Sequence, residues 1–123
     1  MKRRGRIKLL LLILLAALVG EFFNSRFISR QKRELSLKAD LRLMRQAIDN
    51  YPFHGHAPAT TLQDLTSRHY LKKIPTDPFT QKEDWVPLFR DVAVAPEQMA
   101  NGIDYVHSAS GEIASNGTAY NTW

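Results

Sequence analysis

The sequence predicts an α+β chain in which a long N-terminal helix, half transmembrane and half amphipathic, packs on a small antiparallel β-sheet. Three observations carry this expectation. A leucine-rich run starting at Leu9 leads to Tyr51 without one proline. The second half of that stretch bears a single apolar stripe at helical spacing. Short β-rich segments separated by Pro, Gly and Asn fill the C-terminal part.

The helix is read in two halves. At about 1.5 Å per residue, the uncharged run 9–20 covers only part of a ~30 Å hydrocarbon layer, so a span must borrow its flanks. Residues 7–28 are long enough. Lys8 and Arg26 can snorkel to the two interfaces, whereas Glu21 would sit about one turn inside the far one and reach headgroup water or an arginine. Further on, Leu37, Leu41, Met44, Ile48 and Tyr51 recur at spacings of four, three, four and three, with Lys38, Asp40, Arg42, Arg45 and Asp49 on other faces. Each stripe residue, fully buried, contributes roughly 1.5–3 kcal/mol. The stripe is therefore the expected helix-to-sheet core.

This divides the chain into a basic N-terminus (1–8), a transmembrane half-helix (9–28), an amphipathic half-helix (29–51) and a small α+β domain (52–123). Roughly 95 residues remain for one folded core. With no cysteine, disulfides, thiolate nucleophiles and cysteine-ligated metals are excluded. The net charge of +5 is unevenly placed: of 17 Lys and Arg, 12 lie in residues 1–45, with only 3 of the 12 Asp and Glu. Basic charge thus flanks the apolar run and suits anionic headgroups, and the acidic remainder is unsuited to nucleic acid. Five basic residues ahead of the span place the N-terminus in the cytoplasm and the C-terminal domain across the membrane. A secretory signal cut after Gly20 is the competing reading.

After Pro52 the stretch PFHGHAPAT is a connector. Thr60 or Thr61 is expected to cap a short helix over 62–69. Prolines in PTDPF flank a turn, and 85–89, 91–94 and 103–107 are candidate strands. The tail carries an Asn-Gly turn and ends in a terminal strand or docked coil around Tyr120 and Trp123. Chemistry is scarce. His54 and His56 stand two apart in a loop, poorly preorganised for a metal and expected to serve as surface or packing residues. No phosphate-binding glycine loop, nucleophile elbow or EF-hand loop is present, so no enzyme activity is expected.

Three blocks carry a family resemblance: LRLMRQAIDNY, TLQDLTSRHYLKKIPTDPFT and GIDYVHSASGEIASNGTAYNTW. A helix ending near Tyr51, then Lys73, Ile74, Pro75, Asp77 and Pro78, then Tyr105, Ser108, Ser110, Gly111 and a final tryptophan, resembles type IV pilin-like proteins, and among them the major pseudopilins of type II secretion systems. The likeness covers roughly residues 34–123. It implies a pilin-like fold and a structural role, without catalysis, in a secretion or pilus-type assembly in the bacterial inner membrane, with the C-terminal domain periplasmic. Leu9, Leu12, Leu15, Ala16, Val19 and Glu21 would then pack against lipid and neighbouring subunits, either copies of this chain or other pseudopilins, alongside inner-membrane secretion proteins. It also implies calcium in the C-terminal loop, for which Ser108, Ser110, Glu112 and Asn116 are the candidate ligands, helped by carbonyls or by Asp77, Asp84 or Asp104. The N-terminus departs from the pattern. Gly5 could be a displaced cleavage glycine, but Arg6, Lys8 and Leu10 then occupy the motif's apolar and acidic slots. A membrane-anchored periplasmic binding or accessory domain that does not polymerise is the alternative.

Overall fold

Nothing between Lys2 and Asn50 interrupts a helix: there is no proline, and Gly5 and Gly20 each cost only about 1 kcal/mol relative to alanine. A computed structural model, describing residues 2–54 and 57–123, shows helix α1 over Lys2–Asn50. The helix stops where expected, because Pro52 lacks an N–H and disfavours helical geometry at Tyr51. A 3-10 turn, Tyr51–His54, takes over. Contacts divide the chain into two units, one ending at Lys32 and the other beginning at Arg33. The first is helix alone. The second holds residues 33–50 of α1, helix α2 (Leu62–Ser67), and strands β1 (Val86–Ala95) and β2 (Gln98–His107).

In this second unit the layout is α+β, with the amphipathic part of α1 packed on a two-stranded antiparallel sheet. All five stripe residues, Leu37, Leu41, Met44, Ile48 and Tyr51, are buried, and they share one core with Leu65, Leu71, Trp85, Ile103, Val106 and Tyr120. The sheet is simpler than the three β-rich runs suggest. Residues 85–89 and 91–94 do not form separate strands: Arg90, the gap between the two runs, and Asp91 lie exposed within one continuous strand. They are satisfied across the ladder, Arg90 pairing with Asp104 at 3.2 Å and Asp91 accepting from the Asn101 side chain at 3.1 Å. The register shifts between Leu88 and Phe89, where β2 carries the extra residue Asp104. At the hairpin tip Pro96 presets its own φ, and Glu97 takes the left-handed φ of 64° that the turn needs. The inner end of β2 is held from the side as well: the Ile103 N–H donates to the Ala59 carbonyl at 2.7 Å. That approach explains Gly102, whose missing Cβ would fall 2.3 Å from the Pro58 Cβ.

Helix α2 is shorter than expected, and it ends because His69 adopts φ 63°, with the Tyr70 and Leu71 N–H groups both donating back to the Leu65 carbonyl. Thr61 is the N-cap. Its hydroxyl accepts from the Asp64 N–H at 3.3 Å, while Asp64 accepts from the Thr61 and Thr60 N–H groups, each at 2.9 Å. Those bonds from Thr61 and Thr60 hold the Asp64 pKa below the ordinary aspartate range. A depressed carboxylate contributes stability that is full above its unfolded pKa of about 3.9 and fades as pH falls through the lower folded value. Asp64→Asn is expected to flatten that acid limb in urea melts collected from neutral pH to about pH 2. An unchanged limb would locate the acid sensitivity elsewhere.

The C-terminal tail is a docked coil rather than a strand. Asn116 and Gly117 form its turn, Gly117 at φ 85°, and a single bridge joins Ile113 to Ala119. The 3-10 turn Tyr120–Thr122 then seats Tyr120, fully buried, in the core.

Candidate functional site

Leu9, Leu12, Leu15, Ala16 and Val19 form the apolar surface of the first unit, and every one is exposed, Leu12 at 63% and Val19 at 47%. α1 is long and apolar enough to cross a membrane, and none of its apolar window is covered by protein. Apolar side chains left in water forgo the roughly 1.5–3 kcal/mol that burial of each would contribute. Glu21 is exposed too. The Arg26 guanidinium lies over the Phe22 ring, 4.5 Å from its centroid, instead of folding back on Glu21. Phe22, Phe23 and Phe27 complete an aromatic end to the run.

The four candidate loop ligands lie in the second unit, and all are engaged through backbone or side chain. Ser108 is fully buried and donates its hydroxyl to Asp77 Oδ2; its Oγ also accepts from the Ser110 N–H at 3.1 Å. Ser110 Oγ accepts from the Glu112 N–H at 3.3 Å, and the Glu112 side chain is exposed. Asn116 Oδ1 accepts both the N–H and the hydroxyl of Thr118, at 3.0 and 2.6 Å. Of the supporting acids, Asp104 pairs with Arg90, Asp84 accepts from the Thr80 hydroxyl at 2.5 Å, and Asp77 is buried among N–H donors. Among the described residues no three of His, Asp and Glu gather as metal ligands. Of the four candidate ligands, Ser108, Ser110 and Asn116 have their side-chain oxygens engaged by protein donors, whereas Glu112 is exposed. His56 and the side chain of His54 lie outside the described residues.

Three contributors are harder to read from the sequence. Glu34, only 7% exposed, accepts from the Ser115 N–H at 2.8 Å, the Ser115 hydroxyl at 2.6 Å and the Tyr120 hydroxyl at 2.8 Å. A signal for it exists: Glu34 stands three residues before Leu37, one step further along the apolar stripe, where an acid needs internal partners. Asp77 accepts the Phe79 and Thr80 N–H groups at 2.8 and 3.3 Å besides the Ser108 hydroxyl. Arg45, expected on a solvent face, is half-buried and donates to the carbonyl of Val106 at 2.9 Å and of Trp123 at 2.5 Å, stacked 3.8 Å from the Tyr105 ring centre. Burial lowers its pKa from the ordinary arginine value, and Tyr105 opposes that.

Around these anchors runs a ladder of rings and cations. Arg33 lies over Phe79, Phe79 stacks on Tyr120 at 3.8 Å, Tyr120 meets Trp123 edge-on at 5.1 Å, and Lys38 lies over Trp123. Beside it an open groove of about 460 Å3 is lined by Lys38, Arg42, Arg45, Gln46, Asp49 and Trp123. No protein-family model matches the chain, and neither does any curated protein or solved structure.

Proposed function

We propose that this chain is a pseudopilin-like structural subunit of a type II secretion or type IV pilus-type assembly, supporting protein export without catalysis. The observation that carries the reading is the contrast within one helix. Residues of α1 up to Lys32 carry an apolar window that is exposed throughout, and residues after it bury a stripe in a folded core. A helix of that kind is an anchor and a packing element together. The α+β layout is compatible with a pilin-like fold, and the block from Lys73 to Pro78 and the C-terminal loop support the same family. The span would cross the inner membrane once with the basic N-terminus cytoplasmic and the sheet periplasmic. Its partners would be lipid, copies of itself or other pseudopilins, and the inner-membrane proteins that supply the motor.

A pair of introduced cysteines tests the packing cleanly, because the chain has none of its own. With Leu12→Cys and Ala16→Cys in one chain, oxidation of the native membrane fraction is expected to give a ladder of crosslinked species. Monomer alone at both positions would sink the assembly reading. A second reading, an anchored domain that does not polymerise, is favoured by Arg6, Lys8 and Leu10, which, with Gly5 as the cleavage glycine, stand in the apolar and acidic slots of the resembled motif. Intact mass separates the two: a start at Arg6 supports processing and assembly, and a retained Met1 supports the unprocessed anchor.

A further inference from the structure

The C-terminal loop is the part of this chain that the family resemblance would close with calcium, and its polarity is wrong for that. A cation gathers acceptor oxygens around itself. This loop instead turns donors inward onto one anion: the Ser115 N–H, the Ser115 hydroxyl and the Tyr120 hydroxyl all converge on Glu34. A cation held at that point would face N–H and O–H dipoles by their positive ends. At the other end of the loop the same logic repeats, with the Ser108 hydroxyl turned onto the buried Asp77 carboxylate.

We propose that Glu34 of α1 is the lock of the C-terminal loop, doing from the helix what a bound calcium ion would do from within the loop, so that loop closure requires no metal. The lock also ties the loop to the packed part of α1, because Glu34 lies one helical step from Leu37 in the core. Charge-assisted bonds to a carboxylate in a site only 7% exposed are stronger than neutral ones. The tyrosine that donates to it is itself packed between Phe79 and Trp123, so a loosened lock would be felt across that whole stack. This inference does not depend on polymerisation and stands or falls on the folded unit alone.

The test uses the full chain in detergent micelles, with near-ultraviolet dichroism and cleavage after Glu112 by a glutamate-specific protease as readouts. Wild-type protein is expected to melt at the same temperature in millimolar calcium and in chelator, since a ligand of the native state alone would have to raise it. Glu34→Gln keeps the shape but turns an amide NH2 toward donors. It is expected to lower the melting temperature by about 5–10 °C in both buffers and to speed cleavage after Glu112 severalfold. Tyr120→Phe and Ser115→Ala, which remove one donor each, guard against misfolding of the first variant. Their losses should be largely absent when introduced on top of Glu34→Gln. A calcium-dependent rise in the wild-type melting temperature would overturn the proposal. So would unchanged melting and cleavage in Glu34→Gln, or donor losses that simply add to it.

Discussion

Tyr120→Ala is expected to lower the melting temperature of the unit beginning at Arg33 by about 15–30 °C, the largest effect of any single truncation here. Tyr120 is fully buried, stacks face to face on Phe79 with centroids 3.8 Å apart, and meets Trp123 edge-on. Removing the ring costs its transfer free energy and leaves a cavity, about 3–5 kcal/mol for a large aromatic. Small domains are stable by only about 5–15 kcal/mol, so such a loss consumes much of the total. The Glu34 carboxylate would in addition lose a donor. The loop is expected to detach with it, read as loss of the near-ultraviolet signal and rapid proteolysis between residues 108 and 123. A variant that melts within a few degrees of wild type would mean that the tail contributes little to the core.

Asp77→Ala is expected to be nearly as severe, at about 3–5 kcal/mol, for a different reason. Asp77 has no exposed surface, and its carboxylate takes the Phe79 N–H, the Thr80 N–H and the Ser108 hydroxyl. Alanine leaves those donors without their acceptor, at about 1–3 kcal/mol each. Asp77→Asn retains one carbonyl acceptor and should be milder. It also carries a second readout. Burial raises the pKa of Asp40 above the ordinary aspartate value, and the Asp77 charge raises it further. An acid whose folded pKa is raised favours folding while protonated, and that contribution is lost as pH rises through the folded value. With Asn at 77 the Coulombic part disappears, so the Asp40 carboxyl resonance should titrate closer to about 3.9. An Asp40 titration that does not move would show that burial alone sets it.

The helical part was legible in the sequence because its signals are local. A 3.6-residue period, the absence of proline before Pro52 and the threonines ahead of Leu62 each act over one or two turns, so the stripe from Leu37 to Tyr51 and a threonine cap could be read directly, with the choice of Thr61 over Thr60 left to the structure. The boundary residues were less legible. Whether 85–94 is one strand or two turned on Arg90 and Asp91, and their partners Asp104 and Asn101 lie on the other strand. Pairing across a hairpin decides such cases, and no local window contains it.

The candidate loop shows the same division more sharply. Composition marked a serine- and asparagine-bearing coil between His107 and Trp123 with one acid among its last residues. What those oxygens do was decided by groups far away in the chain, Glu34 from α1 and Asp77 from the proline turn. By itself the sequence determined that one helix has an apolar half and an amphipathic half, that the domain it carries is small and cysteine-free, and where that helix ends. Only the tertiary structure decided which charged residues lie inside. Glu34, Asp77 and Arg45 are tolerated there because packing delivers enough donors or acceptors to each to offset its desolvation, and that supply depends on contacts between segments remote in sequence.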